Sequence, residues 1–133
     1  MPPDLVEVQR WLRKAQNDWS AARKIMASND PETDVAAFHC QQAVEKMLKA
    51  FLVFREVQFQ KVHDLGRLLD HCAAADANFE QLRDAVLPLN IYAVAFRYPG
   101  PAEPSQDQVT SALDVVGQVW AFLETVLPKD ALP

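Results

Sequence analysis

The stretch ETDVAAFHCQQAVEKMLKAFLVF, residues 32–54, carries the strongest helical pattern in the chain. Wound at about 100° per residue, it places Ala36, Ala37, Cys40, Ala43, Val44, Met47, Leu48, Ala50 and Phe51 on one broad apolar arc. His39, Gln42, Lys46 and Lys49 fall together on a second, polar arc roughly 80° wide. Asp30 followed by Pro31 fits the N-cap and first position of this helix. Phe38 and Leu52 lie outside the main apolar arc and mark a second packing surface, for which a dimer contact is the simplest use.

Upstream, Leu5, Val8, Leu12, Ala15, Trp19, Ala22 and Met26 recur at steps of three and four, the stripe of a long first helix. Arg10, Arg13, Lys14, Asn17 and Arg23 then face outward. Downstream, Asp64 caps a shorter third helix whose buried side is Leu65, Leu68, Leu69 and Cys72. A fourth helix starts near Phe79 and carries Leu82, Ala85, Val86, Leu89, Tyr92, Ala93 and Phe96 at helical spacing, with a kink expected at Pro88. Pro99-Gly100-Pro101 marks its end. Ser105 to Gln108 fits a capping box, followed by Val109, Ala112, Leu113, Val116, Trp120, Leu123 and Leu127, and Pro128 stops this last helix. Four long helices and one short one, joined by brief connections, pack most simply as an all-α, antiparallel up-and-down bundle.

Composition agrees with that reading. The chain has 133 residues, half of them hydrophobic, which suits one core and is too little for two ordinary domains. One domain over residues 1–133 is therefore expected, with its core in about 5–127 and a tail at 128–133. Only three glycines are present, and the nine prolines gather in the tails and at helix boundaries. No apolar run is long enough to cross a bilayer, and the N-terminus lacks the blocks of a signal peptide, so the cytoplasm is the expected location. A formal net charge of −5 argues against a broad grip on duplex nucleic acid, although it leaves room for a local basic pocket.

Three patches resemble the HEPN family, the higher eukaryote and prokaryote nucleotide-binding domains. They are Phe38-His39-Cys40-Gln41-Gln42-Ala43-Val44-Glu45-Lys46, Val62-His63-Asp64-Leu65, and Tyr92 through Arg97-Tyr98-Pro99. Their order and spacing cover residues 5 to 127. The resemblance implies a helical bundle that usually dimerises, with a cleft lined by polar residues of the second and fourth helices. It also implies a minimal nucleotidyltransferase as partner protein, since many small members are encoded beside one. Other members are ribonucleases, often toxins, and these carry an arginine followed after four to six intervening residues by a histidine. Here the stretch after Arg97 holds no such histidine; His71 stands too close to Arg67, and His63 too far from Arg55. The expected function is accordingly a non-catalytic, nucleotide-binding partner in a two-component, toxin-antitoxin-like system. The alternative is a ribonuclease toxin with an altered active site.

The candidate nucleotide- or partner-binding residues are Arg97, Tyr98, Lys46, Lys49, His39, Gln42 and His63. A guanidinium beside a phenol suits a phosphate with a base stacked on the ring, and lysines on one stripe attract phosphate. The bland readings are equally concrete. Arg97 would pair with a carboxylate or the helix C-terminus, the polar stripe of the second helix would be a solvated face, and His63 would bond a neighbouring helix. Glu45 and Lys49 form a favourable i, i+4 pair. Trp11, Trp19 and Trp120 are read as core or dimer contacts. Cys40 and Cys72 are read as buried thiols, and neither His39-Cys40 nor His71-Cys72 has the spacing of a zinc clip, so no metal and no cofactor are expected.

Overall fold

The chain's computed structural model describes residues 3–59, 61–95 and 103–133. Helix α1 runs Leu5–Met26, α2 Thr33–Phe54, α3 Leu65–Ala75 and α6 Gln106–Val126. Between α3 and α6 the chain passes through a 3-10 turn at Ala77–Leu82, α4 at Arg83–Val86, a second 3-10 turn at Leu87–Ile91 and α5 at Tyr92–Ala95. A last 3-10 turn occupies Lys129–Ala131. No strand occurs among the described residues, and the architecture is the antiparallel all-α bundle.

Three of the long helices start where a side chain can satisfy free N–H groups. Asp4 accepts from the Glu7 amide at 3.0 Å, Asp64 accepts from that of Arg67 at 3.0 Å, and Ser105 and Gln108 form the reciprocal capping box. The start of α2 differs from expectation. Its N-cap is Glu32 rather than Asp30, without a side-chain bond, so Pro31 stands before the helix instead of at its first position. The expected fourth helix is a succession of short turns. Pro88 has no N–H to bond back one turn, and the second 3-10 turn begins beside it. Asn90 in that turn reaches across to accept from the Leu65 amide at 2.9 Å, helping Asp64 to cap α3. Phe96 and the Pro99-Gly100-Pro101 end lie outside the described residues.

Helix α2 is the central element: 14 of its 22 residues are buried. It packs along α1 on one side and against α3, α5 and α6 on others. Val8, Leu12, Ala15 and Ala22 of α1 and Val109, Ala112, Val116, Val119 and Leu123 of α6 supply the facing core. Phe51, Phe79 and Phe122 form an aromatic run across it, with centroids 4.3 and 4.7 Å apart. Leu52 is fully buried within the chain, which corrects the expectation that it serves a dimer contact. The reason is that α2 is enclosed on more than one side, so the second apolar surface is filled from within.

The C-terminus of α2 directs the chain toward the candidate site. The Glu56 amide bonds the Val53 carbonyl at 3.0 Å and the Val57 amide bonds that of Leu52 at 2.9 Å, the pairing of a Schellman motif. Its left-handed residue is Glu56, with φ 58°. A side chain is disfavoured in that conformation, and glycine is the usual occupant. Glu56→Gly is therefore expected to raise stability by about 0.5–1 kcal/mol. Urea unfolding checks this, and an unchanged or lowered midpoint would contradict the assignment of strain to this position.

Candidate functional site

Asp18 lies three residues after Ala15 and four before Ala22, on the inward stripe of α1, and is only 8% exposed. A carboxylate there must find donors. It finds two on the polar arc of α2: His39 Nδ1 lies 2.8 Å from Asp18 Oδ1, and Lys46 Nζ donates to Oδ2. A carboxylate oxygen accepts, so the His39 tautomer that suits this contact carries its proton on Nδ1 and leaves Nε2 as the acceptor. His39 and Lys46 both remain partly exposed.

A second carboxylate organises the rest of the arc. Glu45 is buried; its Oε1 accepts from Gln41 Nε2 at 3.3 Å, and its Oε2 accepts from Lys49 Nζ at 3.0 Å. His63 Nδ1 lies 3.3 Å from the same Oε2, although the His63 side chain is 70% exposed. Gln42 donates to Gln41 Oε1 at 2.7 Å and so joins the chain. The Lys49 ammonium stands 5.6 Å from the Trp11 ring centroid and 5.8 Å from that of Phe59, and the two rings meet edge to face at 5.9 Å.

The predicted arc is thus split by burial. His39 and Lys46 stay at the partly exposed seam of α1 and α2 and Gln42 is half-buried on Gln41, whereas Lys49 turns inward beneath Trp11 and Phe59. Lys49 with Glu45 forms the expected i, i+4 pair, in a buried setting rather than on the surface. His63 makes the expected contact with a neighbouring helix. Arg97 and Tyr98 lie outside the described residues. Asp18 and Gln41 were absent from the sequence-derived set. The signal for Asp18 was a charge at an apolar step of the α1 stripe, obscured by Trp19, which instead packs half-buried against Trp120 at 6.2 Å.

Among the described residues no buried side-chain polar atom lacks a partner, and no group of three or more His, Cys, Asp or Glu could hold a metal. Cys40 and Cys72 are free and buried. Burial pushes the Cys40 thiol from its ordinary 9.0 up to about 12 and raises Cys72 as well. No helix among the described residues is long and apolar enough to cross a membrane.

The buried pair and the thiols can each be tested. Glu45→Ala leaves Lys49 buried without its counter-charge and is expected to cost about 3–5 kcal/mol, whereas Glu45→Leu with Lys49→Met recovers at least half of that loss. Equal destabilisation of the single and double variants in urea would show that the ion pair is not the origin. For the thiols, a raised folded pKa means that the neutral form stabilises the fold below pH 9 and that this contribution disappears as pH rises toward about 12. The melting temperature should therefore fall over that interval, and fall less in Cys40→Ala with Cys72→Ala; parallel curves would exclude the thiols as the cause.

The comparisons with known proteins agree with this architecture. The family model described as HEPN domain matches residues 8–126. The crystal structure of TT1696 from Thermus thermophilus is similar, with a TM-score of 0.72 and 26% sequence identity over 90% of this chain and 98% of that one. No curated protein matches the sequence. With the family model spanning nearly its whole length and a helical bundle built on the Phe38–Lys46 patch, the chain belongs to the HEPN domain family.

Proposed function

We propose that this protein is a non-catalytic, nucleotide-binding HEPN subunit that works as a homodimer in the cytoplasm alongside a minimal nucleotidyltransferase. The observation that carries the reading is the Asp18 bridge. It holds the Lys46 ammonium and the His39 ring side by side, partly exposed, on one seam of α1 and α2. A cation fixed in this way meets a phosphate without first losing side-chain freedom, and a neighbouring imidazole and Gln42 amide offer hydrogen bonds to a sugar or base edge. Arg97 and Tyr98 are proposed to add a guanidinium and a stacking ring to the same ligand. The lack of an Arg-to-His ribonuclease spacing supports the non-catalytic part of the reading.

Calorimetry with nucleoside triphosphates should show binding that weakens by about tenfold in Lys46→Glu and in Arg97→Ala. Co-expression with a minimal nucleotidyltransferase, where the adjacent reading frame encodes one, should bring the chain down with it. If neither nucleotide nor transferase associates, the proposal fails.

One geometric fact favours a second reading, a ribonuclease with an altered active site. A carboxylate holding Nδ1 of a histidine orients its Nε2 for proton transfer, as in hydrolytic dyads, and His39 has that relation to Asp18. This reading expects growth arrest on expression and RNA cleavage that disappears in His39→Ala. Intact RNA in a culture expressing the protein at normal growth would eliminate it.

A further inference from the structure

On the α1 side of the same seam lies a basin of about 480 Å³ lined by Glu7, Arg10, Trp11, Lys14 and Lys46. This volume lies within the range of small-ligand sites, about 300–1,000 Å³. Three of its five lining side chains are cations, on a chain whose formal net charge is −5. Among the described residues Arg10 and Lys14 have no ion-pair partner, and Lys46 shares Asp18 with His39. Lys46 is matched by Asp18 and Glu7 offsets one further cation, so the basin keeps a modest positive excess, carried by the unpaired Arg10 and Lys14, which attracts an anion.

The aromatic wall is fixed before any ligand arrives. Trp11 is half-buried, meets Phe59 edge to face, and has the Lys49 ammonium against it. Polarity along the basin is set by α1. Glu7 stands one turn before Trp11 and Lys14 about one turn after it, so the acidic and basic ends lie about 10 Å apart along the axis. Asp18, which anchors Lys46, is one further turn beyond Lys14, so Lys46 joins the basic end. The carboxylate of Glu7 repels phosphate and accepts from ring or exocyclic N–H groups.

We propose that this basin is a nucleoside-phosphate site, with phosphate on Lys14 and Lys46, Arg10 adding positive charge from the level of Trp11, the base against Trp11, and the base edge toward Glu7. The proposal deepens the nucleotide-binding reading above and rests on it for the class of ligand. It adds the α1 face, through Arg10, Trp11 and Lys14, to the Lys46 and His39 seam already assigned to that ligand. Trp11 packs against the core, as its sequence reading expects, and the proposal gives its remaining surface a second use in the basin.

The test is titration of the intact protein with AMP, ATP, adenosine and inorganic phosphate, followed by calorimetry and tryptophan fluorescence. AMP and ATP are expected to quench fluorescence and to bind at least about tenfold more tightly than adenosine or inorganic phosphate. Trp11→Phe should abolish most of the quenching, and Lys14→Glu should weaken AMP binding at least about tenfold, whereas the surface reversal Lys129→Glu should leave it unchanged. Circular dichroism of each variant confirms folding. Equal weakening in Lys14→Glu and Lys129→Glu, inorganic phosphate binding as tightly as AMP, or binding of an oligoribonucleotide without binding of AMP would each overturn the site. Nucleotide binding lost in Arg97→Ala but intact in Lys14→Glu and Trp11→Phe would refute the basin while leaving the nucleotide-binding function standing. No nucleotide binding at all would remove both.

Discussion

Helix α2 has almost no perimeter to give to solvent. Enclosed by α1, α3, α5 and α6, it nevertheless carries His39, Gln41, Gln42, Glu45, Lys46 and Lys49 along its length. Polar groups removed from water must be paired inside the protein or at its edge, and a buried charge left alone is costly. That constraint shapes the molecule around two carboxylates. Asp18 is contributed by α1 and holds the outer pair, whereas Glu45 belongs to α2 itself and holds Gln41, Lys49 and, from the approach to α3, His63. The apolar packing sets which elements touch, and the carboxylates set which polar side chains remain available at the seam.

Availability differs between the two centres. Around Asp18 the bonded partners keep part of their surface in water. Around Glu45 both charges of the pair are about 6% exposed, and the ammonium is enclosed by indole and phenyl rings. The latter cluster packs Lys49 against Trp11 and Phe59, and the former leaves His39 and Lys46 within reach of solvent. One helix thus carries a buried and a partly exposed half of the same polar arc, distinguished only by how far each side chain stands from the bundle edge.

Much of this was legible in the residues. Caps such as Asp64 and Ser105 act through local geometry, and the structure has both. The α1, α2, α3 and α6 stripes follow helical periodicity closely enough to name most of the core, including both cysteines. The region around Pro88 was less legible because apolar spacing of three to four residues is met by a run of short 3-10 and α turns as well as by a bent helix. Burial of Lys49 could not be read from α2 alone. It depends on the left-handed turn at Glu56, which brings Phe59 back over Trp11, a tertiary event with no periodic signature. Asp18 was visible as an exception to its stripe, and an exception of that kind is a direct sign of a polar partner on the facing helix.

The α1–α2 hairpin joins neighbours in sequence through the short connection from Ala27 to Glu32, so its contacts close with little loss of chain entropy. Helix α6, by contrast, must return from the far end of the chain to meet α2. The seam that holds Asp18 against His39 and Lys46 is therefore expected to assemble early during refolding, before the bundle closes, and pulse-labelled amide exchange reads that order directly. Substitutions in a seam that forms this early are expected to be felt in the refolding rate as well as in stability.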